Sequence, residues 1–187
     1  VPFNGPYGLD HDLHTGHRNR HADYYADKEL PDFPRVPRHP WQNKYLQNNN
    51  NVQVMRNYAA AVSGVDDAVG RLMQTLDETG LADDTLVIYT TDHGFCGGHH
   101  GFWGMSDHSE PRHLYQPNLT IPLIARHRAG IAPGQTSHRM VSHYDLLPTL
   151  LDYLGMPAVG GDAQRYPGES YAPVLLGDDI GGGPGDR

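Results

Sequence analysis

The feature that most constrains this chain is an apolar run that stops abruptly at a polar, glycine-rich loop. Residues 86–90, LVIYT, have the composition of a buried strand, and Asp92 and His93 follow where that strand should end. Residues 94–104 then interleave glycine with histidine and aromatic side chains. Open α/β sheets present their chemistry at the carboxyl ends of strands, in the loops that follow. The stretch therefore predicts a functional site at the end of this strand.

Two amphipathic patterns predict helices, one on each side of this stretch in the sequence. Apolar residues recur at spacings of three and four over 52–79, and Gly80 provides a helix stop. A second apolar pattern predicts a helix over 145–154, with Asp145 as its cap. These helices are long enough to cover a sheet.

Short apolar runs predict further strands. The run at 121–125 contains a proline, which favours a strand start or a sheet edge, and 140–142 is a second candidate. A helix, a tight turn and an apolar strand in succession form half of a βαβ unit. The expected fold class is therefore α/β, with a mixed sheet flanked by helices.

The ends of the chain differ in composition from its central part, 52–157. Residues 1–51 carry regularly spaced prolines among His, Asn and Tyr, which interrupt any helix or central strand. We expect them to form a long ordered loop of the same domain. Residues 158–187 are rich in Gly and Pro and are expected to be a truncated C-terminal segment.

Charge and hydropathy exclude two classes of partner. The net charge is −8 and the sequence shows no basic stripe, which argues against a nucleic-acid partner. It contains no apolar run of the length that a membrane span requires, so no membrane partner is expected. The 13 histidines favour metal binding or proton transfer.

Four blocks of sequence, in order, carry a resemblance to a known family. They are YAAAVSGVDDAVGRLMQTLDETGLADDTLVIYTTDHG, GGHHGFWG, IPLIARHRAGIAPGQ and VSHYDLLPTLLDYLG. Together they resemble the sulfatase family of the alkaline-phosphatase-like superfamily. The resemblance implies a partial domain of that type and the metal-dependent hydrolysis of sulfuric esters, with a sulfated small molecule or glycan as substrate. Two alternatives stay open: a phosphoester or phosphonate hydrolase of the same superfamily, and a non-catalytic relative that binds anions or glycans.

The resemblance also implies roles for particular residues. Asp92 and His93 correspond to ligands of a divalent cation, Ca²⁺ or alternatively Mg²⁺, although His93 could instead donate a hydrogen bond to a sulfate oxygen. A plain turn cap at the strand end is the competing interpretation of this pair. The other candidates are His100 and His108 as catalytic residues and Arg112, Tyr7 and Met105 as substrate-binding residues. Tyr7 and Met105 stand where the family commonly has histidine and lysine.

One part of the family's chemistry has no counterpart in this sequence. The family's nucleophile is a formylglycine made from Cys or Ser within Cys/Ser-x-Pro-x-Arg, and Cys96 is followed instead by Gly-Gly-His. The chain is therefore expected to be a C-terminal part of the catalytic domain, inactive alone, with the formylglycine on an N-terminal part that precedes it. Its first residues do not have the composition of a signal peptide, and its localisation stays open, with the periplasm or the extracellular space as the compartments that the resemblance allows.

One acidic pair invites a metal-site interpretation that its surroundings argue against. Asp66 and Asp67 lie off the apolar stripe of the helix predicted over 52–79, and Asp67 precedes Arg71 by four residues. A solvated helix face with an Asp67–Arg71 pair is the expected arrangement.

Overall fold

The computed structural model describes residues 20–43, 51–157 and 167–178. Its helices are α1 (Ala22–Tyr25), α2 (Val52–Glu78), α3 (Gln116–Leu119), α4 (His143–Tyr153) and α5 (Ala172–Leu175), and its strands are β1 (Val87–Thr90), β2 (Cys96–Gly97), β3 (Trp103–Gly104) and β4 (Leu123–Arg126). Strands β1 and β4 are neighbours in one two-stranded sheet, and β2 pairs with β3 in a second. The β2–β3 pair is antiparallel, with Cys96 opposite Gly104. The predicted α/β class is confirmed.

The chain divides into two compact units. The first unit comprises Val1–Thr79 and Tyr89–Leu123, and the second comprises Gly80–Ile88 and Ile124–Arg187. Every candidate site residue that the structure describes falls within the ranges of the first unit. Tyr7 lies outside the described residues.

Helix α2 forms almost where the sequence predicts it. The side chain of Asn51 accepts a hydrogen bond from the amide of Val54 at 3.0 Å, which satisfies one of the free donors at the helix start. The apolar stripe is covered only over its first turns, because Met55 is fully buried whereas Leu72 is 53% exposed. Helix α2 therefore anchors the first unit through its N-terminal half.

The core of the first unit joins helix α2 to the loop after β1. Val54 and Met55 pack against Trp103, with a surrounding set of partly buried side chains: Leu30, Phe33, Tyr58 and Phe95. The ring of Phe95 stacks on that of Tyr58, with centroids 4.9 Å apart. Trp103 and its neighbour Phe102 are both buried. This packing fixes the glycine-rich loop on the helix.

The sequence analysis predicted the wrong partner for Asp67. Its carboxylate forms ion pairs with Arg20 and with His21, whose Nε2 lies 2.6 Å from Oδ2 of Asp67. Sequence spacing favoured Arg71 because an i,i+4 pair needs no tertiary contact. Helix α1 packs on α2, and this contact brings Arg20 and His21, which directly precede α1, to the carboxylate of Asp67.

The second unit contains α4, whose start lies two residues before the predicted one. Ser142 is the N-cap, and Asp145, expected to be the cap, is the reciprocal partner that accepts from the Ser142 amide at 2.7 Å. The two form a capping box. The strand predicted at 121–125 forms at 123–126, after Pro122, and residues 140–142 have no regular secondary structure.

Across the described part of the chain, no helix has the length and apolar character needed to cross a membrane.

Candidate active site at the end of strand β1

The end of β1 places a carboxylate and an imidazole side by side. Strand β1 ends at Thr90, and Nε2 of His93 lies 3.6 Å from Oδ1 of Asp92. The Asp92 side chain is 85% exposed, and that of His93 is 37% exposed. The hydroxyl of Thr91 lies 3.2 Å from the same Oδ1 and can donate to it. The two predicted ligands are therefore adjacent and reachable from solvent.

The carboxyl group of Asp92 favours its charged form. Partial desolvation raises its pKa, but the positive charge that His93 carries when protonated and hydrogen bonds from nearby amides and from Thr91 outweigh it, so the pKa of Asp92 is lowered. A carboxylate that is ionised at neutral pH is the hard oxygen ligand that Ca²⁺ and Mg²⁺ prefer.

The tautomer of His93 follows from one hydrogen bond. Its Nδ1 lies 2.8 Å from the carbonyl oxygen of Gly94. A carbonyl oxygen only accepts, so Nδ1 must carry the proton and donate it. In the neutral ring, Nε2 then has a free lone pair on the side of Asp92. An imidazole held by such a backbone bond is the usual form of a metal-ligating histidine.

These two side chains fit a cation site in part. A charged carboxylate and an oriented imidazole lone pair are both suitable donors, although imidazole is less typical for Ca²⁺ than oxygen. Within 20–43, 51–157 and 167–178, no group of three or more His, Cys, Asp or Glu side chains could hold a metal ion. A complete site would need donors from beyond these residues.

The segment after His93 is held against α3. The amides of Gly94 and Phe95 donate to the carbonyl oxygens of Asn118 and Pro117, at 3.1 and 2.8 Å. A Cβ on Gly94 would collide with the Pro117 carbonyl oxygen. Only glycine permits this approach, so the sequence Asp-His-Gly is fixed in place by its third residue.

His100 is set in an unusual backbone conformation. Its φ is +57°, in the left-handed region that few non-glycine residues adopt. Its ring stacks on Tyr115, with centroids 4.0 Å apart. Backbone strain of this kind is concentrated at functional sites. The ring is partly occupied in packing, which limits the directions from which it can reach a substrate.

His108 has one ring nitrogen engaged by its own loop. Its Nδ1 accepts from the amide of Met105 at 3.2 Å, so the neutral ring carries its proton on Nε2. That nitrogen lies 4.0 Å from Oδ1 of Asp107. His108 is consequently arranged as a proton donor through Nε2, and Met105 contributes its backbone to that arrangement.

The predicted residues are not all brought together. Among the described residues, no hydrogen bond or ion pair joins Asp92 or His93 to His100 or Arg112. Arg112 is exposed on the loop that leads to α3. Within the predicted set, the structure joins Asp92 to His93 and Met105 to His108.

Cys96 does not serve as the nucleophile. Its side chain is fully buried, and burial raises the pKa of its thiol to about 11. The thiol is protonated at neutral pH and therefore a poor nucleophile.

Sequence reasoning missed a stack of aromatic and histidine rings behind His100. Phe102 lies between His39 and His113, with centroids 4.3 and 4.1 Å away. His113 is buried, and burial together with His100 and His39 lowers its pKa. It is therefore suited to packing rather than to supplying charge. A histidine in a proline-rich segment, such as His39, gives no local signal of this partnership.

Gln42 is a second residue that the sequence did not single out. It is buried, and its amide nitrogen donates to the carbonyl oxygens of Trp103 and His108, while its amide oxygen accepts from the Trp103 amide at 2.7 Å. One side chain thus joins the segment before α2 to β3 and to the turn that carries His108.

Comparison with known proteins places this architecture in a family. An α/β fold with Asp92 and His93 at a strand end is consistent with the alkaline-phosphatase-like superfamily. A family model described as Sulfatase matches residues 13–156. The chain belongs to the sulfatase family.

Individual relatives agree with this assignment. The chain is 38% identical over 123 residues to an N-acetylglucosamine-6-O-sulfatase of Bacteroides thetaiotaomicron, covering 66% of this chain and 20% of that protein. A structure of a protein in complex with its substrate, D-glucosamine-2-N,6-O-disulfate, shares 34% identity at a TM-score of 0.60 and covers 75% of this chain and 26% of that one. The phosphonate monoester hydrolase of Agrobacterium radiobacter shares 30% identity at a TM-score of 0.58, over 73% of this chain and 25% of the other. The chain spans about a fifth of the length of the curated relatives it matches.

Proposed function

We propose that this chain is part of a sulfuric ester hydrolase, with Asp92 and His93 among the ligands of a divalent cation, Ca²⁺ or alternatively Mg²⁺. The observation that carries the proposal is the 2.8 Å contact from Nδ1 of His93 to the Gly94 carbonyl oxygen. It leaves the Nε2 lone pair free beside an ionised carboxylate. The remaining ligands and the formylglycine are expected from parts of the protein beyond the described residues.

The chemistry assigned to this chain is binding and proton transfer. A divalent cation, when bound, polarises the oxygens of the sulfate group. Asp92 supplies negative charge to such a site, and Thr91 orients its carboxylate. His108 offers Nε2–H to the leaving alcohol, with His100 as the second candidate for that role. Arg112, Met105 and Tyr7 are the proposed contacts to the rest of the substrate.

Sulfated amino sugars are the proposed substrates. The N-acetylglucosamine-6-O-sulfatase of B. thetaiotaomicron and the complex with D-glucosamine-2-N,6-O-disulfate support this choice. The net charge of −8 opposes an anionic substrate, so the bound cation and Arg112 would have to supply positive charge locally.

A phosphonate or phosphate ester is the second candidate substrate. The likeness to the phosphonate monoester hydrolase favours it. Met105 keeps this alternative open, because a neutral side chain stands where the family commonly directs a lysine at sulfate. A binding protein without turnover is the third possibility, motivated by Met105 and Tyr7 together.

The test is a comparison of matched esters with the protein expressed from its full reading frame. We expect release of sulfate from glucosamine 6-sulfate to exceed release of phosphate or phosphonate from the matching esters, and Asp92→Asn to abolish it. Preference for the phosphorus esters would favour the second candidate. Retained binding of the sulfated sugar without turnover of any ester would favour the third.

A further inference from the structure

An exposed tryptophan lies on a rigid segment near the loop that carries His100. Trp41 is 44% exposed, whereas its neighbour Gln42 is 4% exposed. Trp41 lies in a turn, which the Gln42 amide closes by donating to the His39 carbonyl oxygen at 3.0 Å. Trp41 therefore faces solvent because its backbone is fixed, and not because its segment is loose.

Backbone pairing holds this segment against residues 108–110. Gln42 pairs with Ser109 in an antiparallel bridge, the Asn43 amide donates to the His108 carbonyl oxygen at 2.8 Å, and the Glu110 amide donates to the Trp41 carbonyl oxygen at 2.9 Å. Residues opposite each other in an antiparallel pair project from the same face. The paired residues Gln42 and Ser109 are both buried, whereas Trp41 and Glu110, which the adjoining backbone hydrogen bond joins, are both exposed.

The indole ring is supported from behind. The His39 ring meets that of Trp41 edge to face, with centroids 4.9 Å apart. His39 is itself fixed, because its amide donates to the Gly101 carbonyl oxygen at 3.0 Å. Little conformational entropy remains to be lost if a ligand stacks on such a ring.

Two exposed charged residues, Glu110 and Arg112, follow Ser109 in the chain, and within the described residues neither forms an ion pair. The Glu110 amide is bonded to the Trp41 backbone, so both residues belong to the segment that adjoins Trp41. An aromatic face with a carboxylate and a guanidinium in the adjoining segment combines an apolar platform with directional hydrogen bonding. Pyranose rings have the matching chemistry: an apolar C–H face and hydroxyl groups at its edge. Arg112 adds a planar contact for a sulfate or carboxylate on the sugar.

We propose that Trp41, Glu110 and Arg112 form a sugar-binding subsite for a glycan ring next to the sulfated one. This inference rests on the proposed function, because it extends the substrate from a single sulfated sugar to an oligosaccharide. The subsite and the predicted active site are two parts of one loop system, since His100 and Arg112 both belong to the segment that leads from β2 to α3.

The binding test is calorimetric titration of the protein expressed from its full reading frame. The probes are a sulfated N-acetylglucosamine-containing tetrasaccharide, N-acetylglucosamine 6-sulfate and inorganic sulfate. We expect Trp41→Ala to weaken tetrasaccharide binding roughly tenfold relative to the monosaccharide. Trp41→Phe should retain most of the affinity, and Tyr144→Ala, which removes an exposed aromatic ring of the second unit, should have no effect.

The outcomes separate the subsite from the proposed function. An unchanged tetrasaccharide affinity in Trp41→Ala overturns the subsite, and so does an equal loss for tetrasaccharide and monosaccharide. The protein from the full reading frame gives a second test. If it releases sulfate from the tetrasaccharide and Trp41→Ala does not change the rate, the subsite is overturned and the sulfatase proposal is supported. Selective loss of tetrasaccharide binding in a protein that hydrolyses no sulfate ester would support the subsite and refute the sulfatase proposal.

Discussion

The hydroxyl oxygen of Tyr153 lies 2.6 Å from Nδ1 of His127. The other ring nitrogen of His127 lies 2.8 Å from the Asp83 carbonyl oxygen. A carbonyl oxygen only accepts, so Nε2 carries the proton, and Nδ1 must accept from the tyrosine hydroxyl. One imidazole thus joins the last residue of α4 to the turn that precedes β1, within the second unit.

Removing the Tyr153 hydroxyl should destabilise the protein. In Tyr153→Phe, Nδ1 of His127 loses its donor in a half-buried setting, and we expect the free energy of unfolding to fall by about 1 kcal/mol in urea denaturation. Tyr144→Phe is the matched control, because Tyr144 is 70% exposed and should be neutral. Equal stability of the two variants would show that the His127 contact contributes nothing.

The contact of Asp67 with Arg20 and His21 should make stability depend on pH in the acidic range. Hydrogen bonds from Arg20 and then His21 lower the pKa of Asp67 to about 2. Because this folded-state pKa lies below the ordinary value of 3.8, the stabilisation is complete above the ordinary value and is lost as the pH falls towards about 2.

Asp67→Asn removes this dependence. The variant's free energy of unfolding should fall less steeply than that of the unmodified chain as the pH is lowered from about 4 to about 2, as measured by urea denaturation at each pH. Asp66→Asn, on the exposed side of the same helix, should behave like the unmodified chain. Parallel curves for the Asp67 variant and the unmodified chain would contradict the assigned pKa.

Two glycines with similar backbone angles should respond differently to alanine. Gly80 has a φ of +72° with nothing within 4 Å of an added Cβ, so Gly80→Ala should cost only the conformational strain of about 1 kcal/mol. Gly101 has a φ of +79°, and its added Cβ would overlap the Pro37 carbonyl oxygen and lie 2.7 Å from the His39 amide nitrogen.

Gly101→Ala should therefore lower the free energy of unfolding by more than twice as much as Gly80→Ala, because backbone atoms must also move. Thermal unfolding of the two variants measures the difference. A similar shift in Tm for both would mean that the segment around Pro37 is not held against the loop as the structure has it.

Local patterns predicted the parts of the fold that local physics decides. Helix α2 has a side-chain cap at Asn51 and is followed closely by Gly80, and both are local signals. Its end was predicted to within one residue of the observed one. Strand β1 was likewise placed correctly by its apolar run. Strand β4 begins two residues later than predicted, since Pro122 cannot donate to a sheet.

Long-range contacts account for what the sequence did not reveal. Asp67 pairs with residues 46 and 47 positions away, and no periodicity encodes that choice. Gln42 and His39 contact the loop at 98–110, far from them in the sequence. Their proline-rich surroundings predicted only that no long helix forms there. Asp92 and His93 could be proposed because strand ends concentrate chemistry, whereas the tautomer of His93 required the position of the Gly94 carbonyl oxygen.

The most direct test of the cation site is calorimetric titration of Ca²⁺ into the protein expressed from its full reading frame, with Asp92→Asn, His93→Ala and, as a control, the exposed His138→Ala. Removing a charged ligand or an oriented imidazole should weaken Ca²⁺ binding tenfold or more, in the range seen when a metal site loses a supporting group. The His138 variant should bind as the unmodified protein does. Unchanged Ca²⁺ affinity in both the Asp92 and His93 variants would contradict the account.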